Sequence, residues 1–251
     1  MAALVETRDN GALRDQKPVS ARLSGVSASV GRVRLLLIRH GQTPANVAGV
    51  LDTAAPGPGL TELGERQARA VPHALRDENV QGIYASRLVR TQLTASPLSS
   101  ERALDVVVHD GLHEIEAGAL EAKSDESSIK AYLDTIIRWG TGELDARMPG
   151  ASDGHTFFGR FDAAVAEIAG AHDDTVVVFS HGAAIRAWVG ARALNASGEF
   201  TLKNPLDNTG VAVLDGSLAH GWDLVSWAGT PVGGESLVDR AAPDPTGEAV
   251  E

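Results

Sequence analysis

Two segments of the sequence end in the same way, in a histidine followed by a glycine. "LLLIRHG" covers residues 35–41 and "VVVFSHG" covers residues 176–182, and each begins with a run of apolar residues. Such runs are typical of strands buried on both faces of a parallel sheet. Because the carboxyl ends of parallel strands share one edge, we expect His40 and His181 to face each other across a crevice there.

The residues around these histidines indicate chemistry on a phosphate group. Arg39, directly before the first histidine, carries a permanent charge and a planar fork of donors that suits phosphate. One neutral imidazole can attack phosphorus while the other donates to a phosphoryl oxygen. Gly41 and Gly182 would let backbone N–H groups approach an anion closely. A single histidine at a strand end is usually structural, but the matched pair predicts phosphoryl transfer through a phosphohistidine.

Alternating strand and helix patterns predict the elements that position these side chains. Strands are expected over residues 33–38, 82–86, 106–108, 175–180 and 210–215. Helical periodicity fills most of the sequence between them. We therefore predict an α/β fold: a three-layer, doubly wound and mostly parallel sheet with helices on both faces and a small helical lid insertion.

The motif "RHGQT" with Asn46 resembles the signature of the histidine phosphatase superfamily, in its phosphoglycerate mutase-like branch. Four further segments resemble the family's motifs in the family's order: "GLTELGERQA", "YASRLVRTQLTA", "GLHEIEAG" and "SHGAAIRA". The matches extend over roughly residues 33–215. Five motifs in order are far more specific than one tripeptide.

The resemblance implies that His40 is the nucleophile that becomes phosphorylated, with Arg39, Arg90 and His181 also catalytic. It implies a substrate-binding set of hydrogen-bond donors: Arg39, Asn46, Arg90, His181 and Gly182. The exposed-arginine alternative to Arg90 is Arg87, and the motif selects Arg90. Positive charge held around the phosphoryl oxygens would carry most of the rate effect.

The resemblance further implies that Glu114 is the acid that protonates the leaving group. It must then be protonated near neutral pH, so its pocket should raise its pKa. Glu116 lies two residues on and would share a face with it in an extended segment, so the choice between them stays open. Ala183 occupies the position after the second His-Gly, where some relatives place an aspartate acid. No metal and no cofactor is required.

The predicted lid, about residues 116–152, is poor in cations. Its only ones are Lys123, Lys130, Arg138 and Arg147. Phosphoglycerate mutases need several cations there to hold a carboxylate and a second phosphate. We therefore favour a metal-independent phosphomonoester hydrolase acting on a small phosphorylated metabolite. A phosphoglycerate mutase and a non-catalytic phosphate-pocket protein are the alternatives.

Composition limits the remaining properties. The chain has 251 residues, a formal net charge of −11 and no cysteine. This charge argues against binding to nucleic acid or to an anionic membrane, and we expect a cytoplasmic protein. We predict a flexible leader over residues 1–31, one catalytic domain over 32–228 and a flexible tail over 229–251. The sequence leaves the oligomeric state open, a homodimer included.

Overall fold

The computed structural model describes residues 31–249, so the predicted leader lies almost entirely outside the described residues. Its strands are β1 (Val33–Arg39), β2 (Val80–Ala85), β3 (Val106–Val108), β4 (Thr175–Ser180), β5 (Val211–Ser217) and β6 (Gly221–Ala228). They form one sheet in the order β3-β2-β4-β1-β5-β6.

Strand β1 lies inside the sheet, between β4 and β5. It pairs in parallel with β4, with Arg39 opposite Ser180, and β2 and β3 continue the parallel part. Strands β5 and β6 are antiparallel and complete the other edge. The predicted mostly parallel α/β sheet is confirmed. Strand β6 was not predicted, since most of its residues are exposed or half-buried and it lacks a continuous buried apolar run.

Alternate residues of β1 pack on opposite faces of the sheet. Leu35 and Leu37 belong to one apolar cluster, and Leu36 and Ile38 belong to the other. Full burial of each such side chain stabilises the fold by about 1.5–3 kcal/mol. The strand that ends beside the histidine pair is therefore firmly anchored on both sides.

Helices cover both faces. They are α1 (Pro44–Ala48), α2 (Glu62–Ala74), α3 (Val89–Arg102), α4 (Glu126–Gly140), α5 (Gly154–Gly170), α6 (Gly182–Arg192) and α7 (Gly198–Lys203). Helices α2 and α3 contribute to the cluster around Leu36, and α4, α5 and α6 contribute to the cluster around Leu35. Side-chain caps fix where several begin: Thr61 accepts from the Gly64 N–H before α2, and Asp153 from the Thr156 N–H before α5.

Helix α4 is the helical part of the segment predicted as a lid. Its Tyr132 is fully buried, and the hydroxyl donates to the carbonyl oxygen of Ile115 at 3.0 Å. Trp139 near its end stacks on Phe157 of α5, with ring centroids 5.7 Å apart. The insertion is thus packed against the chain that carries Glu114, and its action as a lid stays a prediction.

Residues 229–249, called the C-terminal strap below, belong to the segment predicted as a flexible tail, and their flexibility stays a prediction. They form turns and one short 3-10 helix, yet they contact the catalytic domain through polar groups. Gln67 donates to the carbonyl oxygen of Leu237 at 2.9 Å, and Gln42 donates to Asp239 at 2.8 Å. A composition rich in Pro, Gly, Asp and Glu predicts flexibility, but here these groups have partners on the domain.

No helix within residues 31–249 has the length and apolar character needed to cross a bilayer. The cytoplasmic location stays a prediction.

Candidate active site

The two predicted histidines lie side by side where β1 and β4 end. The His40 N–H donates to the carbonyl oxygen of Ser180 at 3.0 Å, which ties the exit of one strand to the end of the other. The ring centroids of His40 and His181 are 5.2 Å apart. Both side chains are almost fully buried. The parallel pairing of two neighbouring strands therefore produces the paired imidazoles that the sequence predicts.

His40 is held in the tautomer that a nucleophile needs. Its Nδ1 lies 2.8 Å from the carbonyl oxygen of Gly41, so Nδ1 carries the proton and Nε2 keeps its lone pair. Burial, followed by the charges of Arg90 and Arg39, lowers the pKa of His40 well below its ordinary value. The ring is therefore neutral around neutral pH and can attack an electrophile through Nε2.

Gly41 is required for packing rather than for binding an anion. A Cβ at this position would lie 2.7 Å from the carbonyl oxygen of Gly64 in α2. The Gly41 N–H donates to the Thr94 hydroxyl at 2.9 Å, so it is not free for a ligand. The expectation of an anion-binding Gly41 N–H is thus replaced by a contact that fixes the turn carrying His40.

Ser86 determines which nitrogen of His181 can face a ligand. The Ser86 hydroxyl lies 2.7 Å from His181 Nε2. Thr91 gives its own hydroxyl proton to backbone carbonyls, which leaves two arrangements: Ser86 donates to Nε2, or the Nε2–H donates to Ser86, which then donates to Thr91. In the first arrangement His181 is protonated at Nδ1, which is buried and has no hydrogen-bond partner within residues 31–249. That N–H can donate to an oxygen between the two rings.

Two arginines supply positive charge to the site, and both are nearly inaccessible to solvent. Arg39 leaves β1 and donates to the carbonyl oxygen of Leu206 at 2.8 Å and to Asp244 at 2.7 Å. Arg90, at the start of α3, donates to the carboxylate of Asp52 at 3.1 Å and to its carbonyl oxygen at 2.8 Å. Both charges act on His40, because each lowers its pKa.

The structure separates the two glutamates that the sequence could not separate. Glu114 is 2% exposed and lines the same cavity as His40 and Arg90. Its carboxylate accepts from the Ala184 N–H at 2.8 Å and the Ala183 N–H at 3.2 Å, at the start of α6. Burial raises the pKa of Glu114, as an acid requires, although the backbone donors and the arginines partly oppose this.

Glu116 lies outside this arrangement. Its carboxylate is partly exposed and accepts from the Ser152 hydroxyl at 2.9 Å, and that bond contributes to a lowered pKa. The pKa values of the two carboxyl groups are thus shifted in opposite directions, raised for Glu114 and lowered for Glu116.

Asn46 and Gly182 complete the predicted set. The side-chain oxygen Oδ1 of Asn46 accepts from the Thr43 N–H at 3.0 Å in a capping box, and the side-chain nitrogen Nδ2 donates to Asp244 at 3.2 Å. Gly182 begins α6, and a Cβ there would lie 2.6 Å from the carbonyl oxygen of Thr246. Asn46 thus presents its side-chain N–H group on the side where Asp244 lies. Gly182, which has no Cβ, allows the backbone at Thr246 to pack closely against it.

The described residues contain no cluster of three His, Asp or Glu side chains arranged to hold a metal ion. The charge in the site comes from guanidinium groups instead.

Comparison with known proteins agrees with this geometry. The model of the histidine phosphatase superfamily (branch 1) matches residues 35–230. The chain belongs to the histidine phosphatase superfamily. The match covers β4, all but the first two residues of β1, and every residue of the predicted site.

Two curated relatives illustrate how varied this superfamily is. The chain is 38% identical over 216 residues to the PE-PGRS family protein PE_PGRS11 of Mycobacterium tuberculosis, covering 80% of this chain and 37% of that one. It is 30% identical over 160 residues to phosphoserine phosphatase 1 of Hydrogenobacter thermophilus, covering 62% and 74%. The chain thus spans little more than a third of the first relative.

Solved structures of the superfamily share the fold. A mycobacterial glucosyl-3-phosphoglycerate phosphatase in complex with VO3 is 26% identical, with a TM-score of 0.66 over 78% of this chain and 99% of that one. A phosphoserine phosphatase from Entamoeba histolytica in complex with 3-phosphoglyceric acid is 25% identical, with a TM-score of 0.64 over 80% and 99%.

Sequence reasoning missed two carboxylates that contact the arginines of this histidine phosphatase site. Asp52 lies in the loop after α1 and pairs with Arg90. Asp244 lies in the C-terminal strap and pairs with Arg39. Neither carries a local signal, since an aspartate in "LDTAAP" or "PDPTG" is typical of any surface loop.

Replacing Arg90 with glutamine should lower kcat/KM for p-nitrophenyl phosphate by about 10²-fold or more, because one close donor to the phosphoryl oxygens is lost. Arg87 provides the matched control, since it is exposed and only three residues away. Arg87→Gln should change kcat/KM by less than about threefold. Steady-state kinetics on both variants decides the assignment, and equal losses would contradict it.

Proposed function

We propose that this protein is a metal-independent phosphomonoester hydrolase that acts on a small phosphorylated metabolite through a phosphohistidine at His40. One observation carries the proposal: a neutral imidazole with a free Nε2 lies 5.2 Å, centroid to centroid, from a second imidazole. The buried Arg90 and Glu114 line the cavity beside His40, and the buried Arg39 directly precedes His40 in the chain. This combination provides a nucleophile, charge for a phosphoryl group and a proton for the leaving group.

In the first step, Arg39, Arg90, Asn46 and the His181 Nδ1–H donate to the phosphoryl oxygens. His40 Nε2 attacks phosphorus, and the bond from phosphorus to the ester oxygen breaks. The departing oxygen takes the electron pair of that bond and the proton of Glu114. The products of this step are an alcohol and phospho-His40.

In the second step, the ionised Glu114 accepts a proton from a water molecule. The water oxygen attacks phosphorus, and the bond between phosphorus and Nε2 breaks. The electron pair returns to His40, inorganic phosphate forms, and Glu114 is again protonated. Each residue is thus restored for another cycle.

The lid supports hydrolysis over mutase activity. Lys130 pairs with Asp134 at 2.9 Å, and Arg138 pairs with Glu143 at 2.8 Å. All four residues belong to the lid segment, and their side chains are exposed. Lys123 and Arg147 are exposed as well. Cations that are paired with carboxylates or exposed to solvent are unsuited to retaining a second phosphate. A phosphoenzyme that is not shielded from water is hydrolysed.

Phosphate release across a panel of metabolites tests the proposal. The panel should include sugar phosphates, phosphoserine, 3-phosphoglycerate and nucleotides, with His40→Ala as the control and EDTA in parallel. We expect release from at least one compound, unaffected by EDTA and absent in the variant. Exchange of phosphate between the carbons of phosphoglycerate, faster than release, would favour the mutase, and no release from any compound would favour the non-catalytic alternative.

A further inference from the structure

The C-terminal strap places a carboxylate on two of the donors assigned above to the phosphoryl group. Arg39 Nη2 donates to Asp244 Oδ1 at 2.7 Å, and Arg39 Nη1 pairs with the other oxygen of the same carboxylate. The Asn46 amide donates to Asp244 Oδ1 at 3.2 Å. An arginine fork on two oxygens is also the geometry by which arginine binds phosphate.

The strap follows Asp244 into the site. The Thr246 hydroxyl accepts from Arg39 Nη2 at 3.1 Å, and Thr246 lines the same cavity as His40 and Glu114. At Gly247 any Cβ would collide with the Arg39 guanidinium. The segment therefore fits closely over the arginine, and a phosphate group on Arg39 requires it to move.

Polar contacts hold the strap in place. Arg186 is 3% exposed and donates to the carbonyl oxygens of Glu248 at 2.7 Å and Thr246 at 3.3 Å. The Leu206 N–H donates to the carbonyl oxygen of Gly247 at 2.8 Å. Residues 239–249 contribute no side chain to either apolar cluster. Segments with few buried apolar contacts open at low free-energy cost.

We propose that the strap is an autoinhibitory segment in which Asp244 occupies part of the phosphate site until a phosphate displaces it. This inference rests on the proposed function. A phosphate dianion carries more charge than a carboxylate and can also reach Arg90 and His181, so it can compete for Arg39. Because only molecules with an open strap bind phosphate, the apparent affinity equals the intrinsic affinity multiplied by the fraction of open molecules.

Binding of inorganic phosphate, measured by isothermal titration calorimetry on the full chain, tests this inference without requiring turnover. Asp244→Asn removes the charge that pairs with Arg39, and Asp244→Ala removes its oxygens as well. Glu235→Gln is the matched control, because this exposed strap carboxylate pairs with Arg240 and not with the site. Both Asp244 variants should bind phosphate about tenfold more tightly, and the control should change by less than about twofold.

The outcomes separate the two proposals. Phosphate binding that is unchanged or weaker in both Asp244 variants overturns the autoinhibitory strap and leaves the hydrolase intact. No phosphate binding by any variant overturns both. Phosphate binding with no hydrolysis of any compound overturns only the hydrolase.

Limited trypsin digestion gives a second readout. Displacement of the strap by phosphate should accelerate cleavage after Arg240 several-fold in the unaltered chain, whereas bound ligands ordinarily slow digestion. Asp244→Asn should be cleaved rapidly without phosphate, and mass spectrometry identifies the product. Slower cleavage with phosphate would overturn the displacement.

Discussion

Replacing His40 with alanine should lower kcat/KM for p-nitrophenyl phosphate by about 10⁴-fold or more, because no other group in the site can form the phosphoenzyme. His181 is poorly placed to take over, because its Nε2 is hydrogen-bonded to the Ser86 hydroxyl at 2.7 Å. Rapid-quench trapping with radiolabelled substrate should give an acid-labile, base-stable phosphoryl group on the unaltered protein and none on the variant.

The control for this variant is His155→Ala, since His155 is exposed and its ring lies beside the exposed carboxylate of Asp145, 3.6 Å away. Its turnover should stay within about twofold of the unaltered protein. Within residues 31–249 the His40 ring makes a hydrogen bond only to the carbonyl oxygen of its neighbour Gly41, so thermal unfolding should show a folded His40 variant. Full turnover in a folded His40→Ala protein would contradict the proposed chemistry.

The histidine pair was predictable because it depends on local signals. Two buried apolar runs, each followed by His-Gly, predict parallel strands with their ends at one edge, and β1 and β4 are indeed neighbours. The buried arginine was predictable only through the family motif, because the spacing of "RLVRTQLT" suits Arg87 and Arg90 equally as surface residues.

The arrangement around these residues was not predictable from the sequence. Asp244 reaches Arg39 across 205 positions of chain, and the composition of the strap is the same whether it is packed or free. The choice between Glu114 and Glu116 also depends on a distant element. Two N–H groups at the start of α6 donate to Glu114. The 3.6-residue period of a helix does not show which distant side chain will accept from its first N–H groups.

Replacing Glu114 with glutamine should separate substrates by their leaving groups. An alkyl phosphate such as glycerol 2-phosphate needs a proton on its departing oxygen, so its kcat should fall by about 10²–10⁴-fold. p-Nitrophenolate leaves without a proton, so its kcat should fall much less. Glu116→Gln provides the matched control, and both of its values should stay within about threefold. Equal losses for the two substrates would remove Glu114 from the acid role.

The same variant should change one side of the pH profile. The proposed mechanism needs neutral His40, whose pKa is lowered well below its ordinary value by burial and then by Arg90 and Arg39. It also needs protonated Glu114, whose pKa is raised by burial. The kcat for an alkyl phosphate should therefore fall on the acid side as His40 gains a proton and on the alkaline side as Glu114 loses one. A bound phosphate dianion adds negative charge beside Glu114 and raises its pKa further, which moves the alkaline limb toward neutral pH.

Glu114→Gln cannot ionise, so it should remove the alkaline limb and keep the acid limb. An alkaline limb that persists in this variant would show that another group donates the proton.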